Sequence, residues 1–276
     1  MSDVVMAWLP VAAALIAAGL LAGLLAGLLG VGGGIVIVPV LFLVFQGLGI
    51  SPATAMVVAT STSLMVIVPT SVASARAHHR RGNVDLPLFR RWLWFMLAGV
   101  VIGSQVVSRV NGVVLTGVFG VVVLLIAANT LLRPNAPPLR EALPPLSLQA
   151  PVAAAIGALS VMMGIGGGAL SVAVLTSWNV APHRAVGTSA LFGLVIALPG
   201  ALLLLFTATT PADAPPGTLG LVNLPGFAAI APLTYLMAPV GVKLGARLSG
   251  VALKKVFAVF LTIVGLRMLW QVLADG

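Results

Sequence analysis

The sequence predicts an all-α polytopic membrane protein made of two inverted repeats. Each repeat has a glycine-turn helical hairpin, re-entrant or spanning, and three transmembrane helices. Three observations carry this. Of the 276 residues, 60% are hydrophobic and 7% charged, whereas a globular domain carries about 25% charged and needs them to cover its surface. Apolar stretches run at roughly 6–29, 35–48, 53–75, 86–108 and 112–132, then at 148–163, 169–178, 185–208, 226–246 and 251–272. Finally, motifs of the first half return in the second. The expected organisation is a repeat over 1–132, a cytoplasmic linker over 133–147 and an inverted repeat over 148–276.

The formal net charge of +9 does not indicate nucleic acid, because no soluble basic module is present. Residues 1–75 lack Lys and Arg, and the next sixteen contain Arg76, Arg80, Arg81, Arg90 and Arg91. Basic residues gathered in short loops assign membrane sides. Loop 76–91, linker 133–147 (Arg133, Arg140) and loop 243–255 (Lys243, Arg247, Lys254, Lys255) read as cytoplasmic. Loop 209–225, with Asp213 and no basic residue, reads as external, as do both termini, carrying Asp3 and Asp275. Arg109, in an external turn, is the one violation. Trp92 and Trp94 follow Arg90 and Arg91 as interfacial aromatics beside charged anchors. The first apolar run lacks a basic leader and is expected to be retained. With no cysteine, thiol chemistry and disulfides are out.

The repeat is an ordered series of blocks. Gly30-Val31-Gly32-Gly33-Gly34 returns as Gly164-Ile165-Gly166-Gly167-Gly168. Gly103…Arg109…Gly112-Val113…Leu115…Val118-Phe119 returns 138 positions later as Gly241…Arg247…Gly250-Val251…Leu253…Val256-Phe257. Between them, Pro52 with Thr60-Ser61 corresponds loosely to Pro182 with Thr188-Ser189. Loops 76–91 and 209–225 hold equivalent places yet read to opposite sides, so the repeats are expected to be inverted, an arrangement many secondary transporters use.

Each glycine turn precedes a short arm, 35–45 or 169–178. At 1.5 Å per residue such an arm reaches roughly 16 Å, about half a hydrocarbon core. A turn buried there would present Gly32, Gly33 and Gly34, or Gly166, Gly167 and Gly168, to a ligand. Glycine admits positive φ and close approach, and the amides opening the next helix favour an anion. Close helix packing is the alternative use of the same small residues. Thr60, Ser61, Thr188 and Ser189 would donate to substrate oxygens or to their own backbone. Pro69 and Pro199 interrupt their helices further on. Arg184 would attract an anion or serve as an interfacial cation. Gln105, Lys243, Asn129 and Arg267 fall at membrane depth, where polar side chains point to function or snorkel to the interface.

The five acids (Asp3, Asp85, Glu141, Asp213, Asp275) all fall in loops or at termini. No buried carboxylate serves a cation pathway, so an anionic or neutral cargo is expected. Three His, no Cys and no buried acid leave no catalytic residues, metal ligands or cofactor site for an intramembrane enzyme. A non-transporting scaffold is the other class, and oligomeric state, including a homo-oligomer, stays open.

Together, the two GxGGG turns, His79-Arg80-Arg81-Gly82-Asn83-Val84-Asp85 and Pro182-His183-Arg184-Ala185-Val186-Gly187-Thr188-Ser189 resemble the TauE/SafE sulfite exporter family, also called the toluene sulfonate uptake permease family. The resemblance covers nearly the whole chain. It implies a multi-pass inner-membrane permease of about eight segments, moving sulfite, sulfoacetate or other organosulfonates, as an exporter. Uptake or exchange of another small organic anion is the alternative. In the first half Met56-Val57-Val58-Ala59-Thr60-Ser61 stands where a compact Ala-Val-Gly-Thr-Ser is expected.

Overall fold

The computed structural model describes residues 2–132, 139–140, 142–245 and 250–275, with side chains over 9–132, 139–140, 142–245 and 258–274. Arg133, Glu141 and Arg247, and the side chains of Asp3, Lys254, Lys255 and Asp275, lie outside the described residues. Ten helices are described: α1 (Ser2–Leu29), α2 (Gly34–Gly47), α3 (Pro52–His79), α4 (Leu86–Val107), α5 (Gly112–Leu132), α6 (Leu146–Met163), α7 (Gly168–Ser177), α8 (Pro182–Phe206), α9 (Leu224–Gly245) and α10 (Gly250–Asp275). Seven are long and apolar enough to cross a membrane; α2, α7 and the Ala258–Ala274 part of α10 are shorter. The chain is therefore an all-α polytopic membrane protein. Its sheet is a two-stranded hairpin, β1 (Thr218–Leu219) and β2 (Val222–Asn223), ahead of α9. α2 starts one residue before the predicted arm and ends two after it. α3 and α8 run through Pro69 and Pro199 without a break, a tolerance that neighbouring helices give prolines in a membrane.

The helices pair through small residues, which let backbones approach where lipid supplies no hydrophobic drive. Gly19, Gly23 and Gly27 of α1 face Leu233, Thr234 and Ala238 of α9 in step, so these helices run parallel. Gly99 and Gly103 of α4 face Ala154 and Ala158 of α6, also parallel. Gly193 of α8 lies beside Ser71 of α3 and Gly200 beside Leu64, so α3 and α8 are antiparallel. Gly120 of α5 packs against Gly265 and Leu269 of α10, and Gly117 faces Val272, again antiparallel. Exchanging α1–α5 for α6–α10 turns the α1/α9 pair into α6/α4 and leaves the α3/α8 and α5/α10 pairs unchanged.

Helix α3 is the most enclosed, with 78% of its apolar window buried against 50% for α8. Asp213, Asn223 and Gly112 meet its first half, through Thr54, Thr62 and Ala53. At its far end the Arg81 Nη1 donates to Val242 O at 3.2 Å. The basic loop 76–91 and the loop 209–225 thus lie at opposite ends of one 28-residue helix. Trp92 corrects the sequence expectation. It is fully buried, stacked on Phe192 with ring centroids 5.4 Å apart and edge-on to Trp178, and its Nε1–H donates to Gln149 Oε1 at 2.9 Å. Trp94, 72% exposed, stands on the outer surface.

Candidate functional site

The two glycine turns meet at the centre of the molecule. Gly30, Gly32 and Gly33 have φ of +67°, +77° and +81°, and Gly164 and Gly167 have +65° and +68°, a region other residues enter only with strain. A Cβ on Gly34 would collide with Gly164 O, and one on Gly168 with Gly30 O. A Cβ on Gly32 would stand 3.4 Å from Gly166 Cα. The turns are therefore in direct backbone contact. Gly34 and Gly168 hold that packing, while Gly33 and Gly167 occupy the N-cap positions of α2 and α7. The Ser171 amide donates to Gly167 O at 2.8 Å and is the first of α7 to bond back, leaving the amides of Gly168, Ala169 and Leu170 ahead of the ladder.

Each turn rests on the third helix of the other half. Gly30 abuts Val186 O of α8; Gly164 abuts Thr60 of α3, and the Ser63 hydroxyl donates to Gly164 O at 2.7 Å. Thr60 and Ser189 are fully buried with unpartnered hydroxyls, and Ser61 donates to Val57 O at 2.8 Å, the local use that competes with ligand binding. Thr188 accepts the Asp85 amide at 2.9 Å.

That last bond corrects the repeat alignment. Asp85 caps α4, accepting the Leu88 amide while its own amide goes to Thr188. Asn223, 138 positions later, accepts the Gly226 amide while its own amide goes to Thr62 at 2.8 Å. Thr62-Ser63, not Thr60-Ser61, therefore occupies the place of Thr188-Ser189, and Ala59 the place of Ala185. The Thr-Ser doublet is present in the first half, two residues later than the spacing suggested.

The predicted residues do not all converge. Thr60 lies eleven residues from Ser71, and Ser189 four from Gly193, so along the antiparallel pair they stand roughly 22 Å apart. Arg184 is 63% exposed and 3.9 Å from Asp85 Oδ2, at the basic end of α3 and two residues before the Val186 carbonyl that Gly30 abuts. Gln105, Asn129, Lys243 and Arg267 are exposed on the outer face, Arg267 donating to Gln271 Oε1 at 2.7 Å. Sequence reasoning missed Ser71, Ser160 and Ser171, each buried and unpartnered. Their only signal was polarity: Ser160 and Ser171 are single hydroxyls between apolar neighbours, and Ser71 follows Thr70 in α3.

Asp213 fastens the loop 209–225 to the start of α3. Its carboxylate accepts the Thr54 hydroxyl at 2.6 Å and the Ser51 amide at 3.2 Å. Hydrogen bonds from Ser51, then Thr54, hold this carboxyl below the usual carboxylate range. A depressed carboxyl pKa contributes stability that is complete above the unfolded value near 4 and is lost as pH falls through the lower folded value. Asp213→Asn should therefore lower the melting temperature at pH 6, with the difference from wild type shrinking as pH falls below about 4. Thermal unfolding in detergent across that range checks it.

A polytopic helical protein whose two central glycine turns cap short helices among buried hydroxyls has, as a class, the makings of a membrane transporter. The comparisons agree. The family model described as sulfite exporter TauE/SafE matches residues 15–268, and the chain belongs to that family. A "Probable membrane transporter protein" of Haemophilus influenzae is 30% identical over 244 residues, covering 87% of this chain and 90% of its own. The "Probable membrane transporter protein YunE" of Bacillus subtilis is 31% identical over 197 residues, covering 63% of this chain and 71% of its own. No solved structure matches.

Proposed function

We propose that the chain exports small sulfur-containing oxyanions, sulfite or organosulfonates, across the inner membrane by alternating access around the glycine turns. The observation that carries this is the contact of the two turns, each seated on the hydroxyl-bearing helix of the opposite half. Helix N-termini supply amide donors and a positive dipole end to an anion. The family supports a sulfur oxyanion as cargo, and the location of Asp85 and Asp213 in loops argues against a coupling cation. The halves, 1–132 and 148–276, are inverted repeats in this proposal. The pairing of α1 with α9 and of α6 with α4, and the antiparallel α3/α8 and α5/α10 pairs, support it. Rocking one half against the other then opens the centre to alternate sides.

Two measurements test this. Labelled sulfite or methanesulfonate should enter proteoliposomes containing the protein and not protein-free vesicles; absence of any anion flux would end the proposal. For topology, Arg80 and Ala212 are exposed at opposite ends of α3. In this Cys-free chain, Arg80→Cys and Ala212→Cys should label with an impermeant maleimide in intact cells at 212 only. Equal labelling would remove the inversion and the external placement of the termini.

A further inference from the structure

We propose that the cargo seats on one turn only, the second, where Ser71, Ser160 and the opening amides of α7 form an anion site built from neutral donors, and that this site selects monoanions. The inference rests on the transport proposal and deepens it. The two turns share positive φ at Gly30/Gly164 and Gly33/Gly167, whereas Gly32 is positive and Gly166 is not, and they differ further in chemistry. By the glycine alignment Ser160 stands where the first half has Ala26, and Ser171 where it has Ile37. Ser160 is fully buried and unpartnered, and its Oγ lies 3.0 Å from where a Cβ on Gly167 would be, beside the α7 N-cap. Ser71, 1% exposed and also unpartnered, stands on the other flank. A Cβ on Gly193 would lie 2.6 Å from its Oγ and 3.3 Å from Gly166 O. Ser171 adds a third unpartnered hydroxyl within the first turn of α7. A buried hydroxyl without a partner is costly, and two flanking one helix N-terminus, Ser160 and Ser71, define a place where acceptor oxygens are wanted. The Ile196 Cδ1, the flexible tip of an α8 side chain, stands beside Gly167 and closes the seat in this conformation.

The donors are all neutral. No Lys, Arg or His occurs before Arg76, between Arg140 and His183 or between Arg184 and Lys243, so α2, α6, α7 and the centres of α3 and α8 bring no cation. Desolvation cost grows with the square of the charge, so an uncompensated dianion costs about four times a monoanion of equal size. Hydroxyls and amides compensate the smaller cost.

The test uses the full chain in proteoliposomes with methanesulfonate, a permanent monoanion, and sulfate, a dianion at neutral pH. Methanesulfonate should enter saturably, with sulfate competing at least about ten-fold more weakly. A hydrogen bond to a charged group contributes enough that Ser160→Ala and Ser71→Ala should each raise the half-saturation concentration about ten-fold or more. Ser160→Thr should restore it. Ser104→Ala, which removes an equally buried and unpartnered hydroxyl from α4, should change it less than about two-fold. Methanesulfonate should raise the melting temperature of the detergent-purified wild type and not of Ser160→Ala. If the alanine variant does not insert, Ser160→Cys, of similar size but a weak donor, should show the same loss. Wild-type flux with unchanged serine variants, or with sulfate competing equally, would overturn this site and leave transport standing. No flux of methanesulfonate or sulfite in the wild type would overturn the transport proposal and this site with it.

Discussion

Gly34→Ala and Gly168→Ala should each prevent recovery of a folded protein, although each adds a single methyl group. Both glycines open helices at ordinary helical φ, so the cost is steric. Each new Cβ would run into a main-chain carbonyl of the opposite turn, Gly164 O or Gly30 O. A side-chain tip rotates away, but a carbonyl in a turn moves only if the turn does, and each turn is held by the other half. Overpacking of a core costs about 1–3 kcal/mol when side chains yield and more where only backbone is available. Size-exclusion chromatography from detergent should show aggregate or no protein for both. Gly167→Ala gives the contrasting result. Its φ of +68° costs about 1–2 kcal/mol in strain, and the nearest atoms its Cβ would meet are side-chain tips, Ile196 Cδ1, Ser160 Oγ and Ile156 Cγ2. That variant should insert and run as a sharp peak, yet lose at least about ten-fold in anion flux. A monodisperse Gly168→Ala protein with normal flux would remove the turn contact from the account.

Trp92→Ala should be the most destabilising substitution outside the turns. The indole is fully buried between Phe192 of α8 and Trp178 at the end of α7, and its N–H holds Gln149 of α6, which in turn donates to Pro144 O at 2.6 Å. Emptying the site costs about 3–5 kcal/mol, and stranding the buried Gln149 oxygen adds about 1–3 kcal/mol. Trp92→Phe should keep the stacking and lose chiefly the hydrogen bond, so its melting temperature should fall between the two. Because Trp178 anchors α7, flux should fall with stability in both variants. Equal melting temperatures for wild type and Trp92→Ala would contradict the packing.

Much of the fold was legible because the bilayer restricts the choices. A run of apolar residues in lipid forms a helix, so eight of the ten described helices follow the predicted stretches within three residues, while α1 starts four earlier and α3 ends four later. The glycine turns were legible as repeated glycines, and their mutual contact is what a two-fold repeat makes natural. The hydroxyls were harder to place. One stretch, Thr60-Ser61-Thr62-Ser63, offers two doublets, and only the amide of Asn223 decides between them. Arg184 read as an anion ligand or an interfacial cation from its place before Thr188, and helix α8, beginning at the surface, puts it beside Asp85. Trp92 read as interfacial from its arginine neighbours; which face of α4 turns inward is decided by Phe192 and Trp178, more than eighty residues away. Ser71 follows Thr70 in one more Thr-Ser doublet of α3, and Ser160 stands alone between apolar neighbours in α6; neither setting shows whether the hydroxyl faces a site or its own backbone.

Voltage tests the central claim most directly. Moving one negative charge out of a cell gains about 2.3 kcal/mol per 100 mV, roughly a fifty-fold concentration ratio, so an anion exporter with no coupling cation has sufficient drive. In proteoliposomes carrying a potassium-diffusion potential and no sodium or proton gradient, labelled methanesulfonate should move faster toward the positive side, and reversing the potential should reverse the effect. Flux that ignores the potential while following an imposed pH step would contradict the account and point to electroneutral movement of anion with proton or to one-for-one exchange.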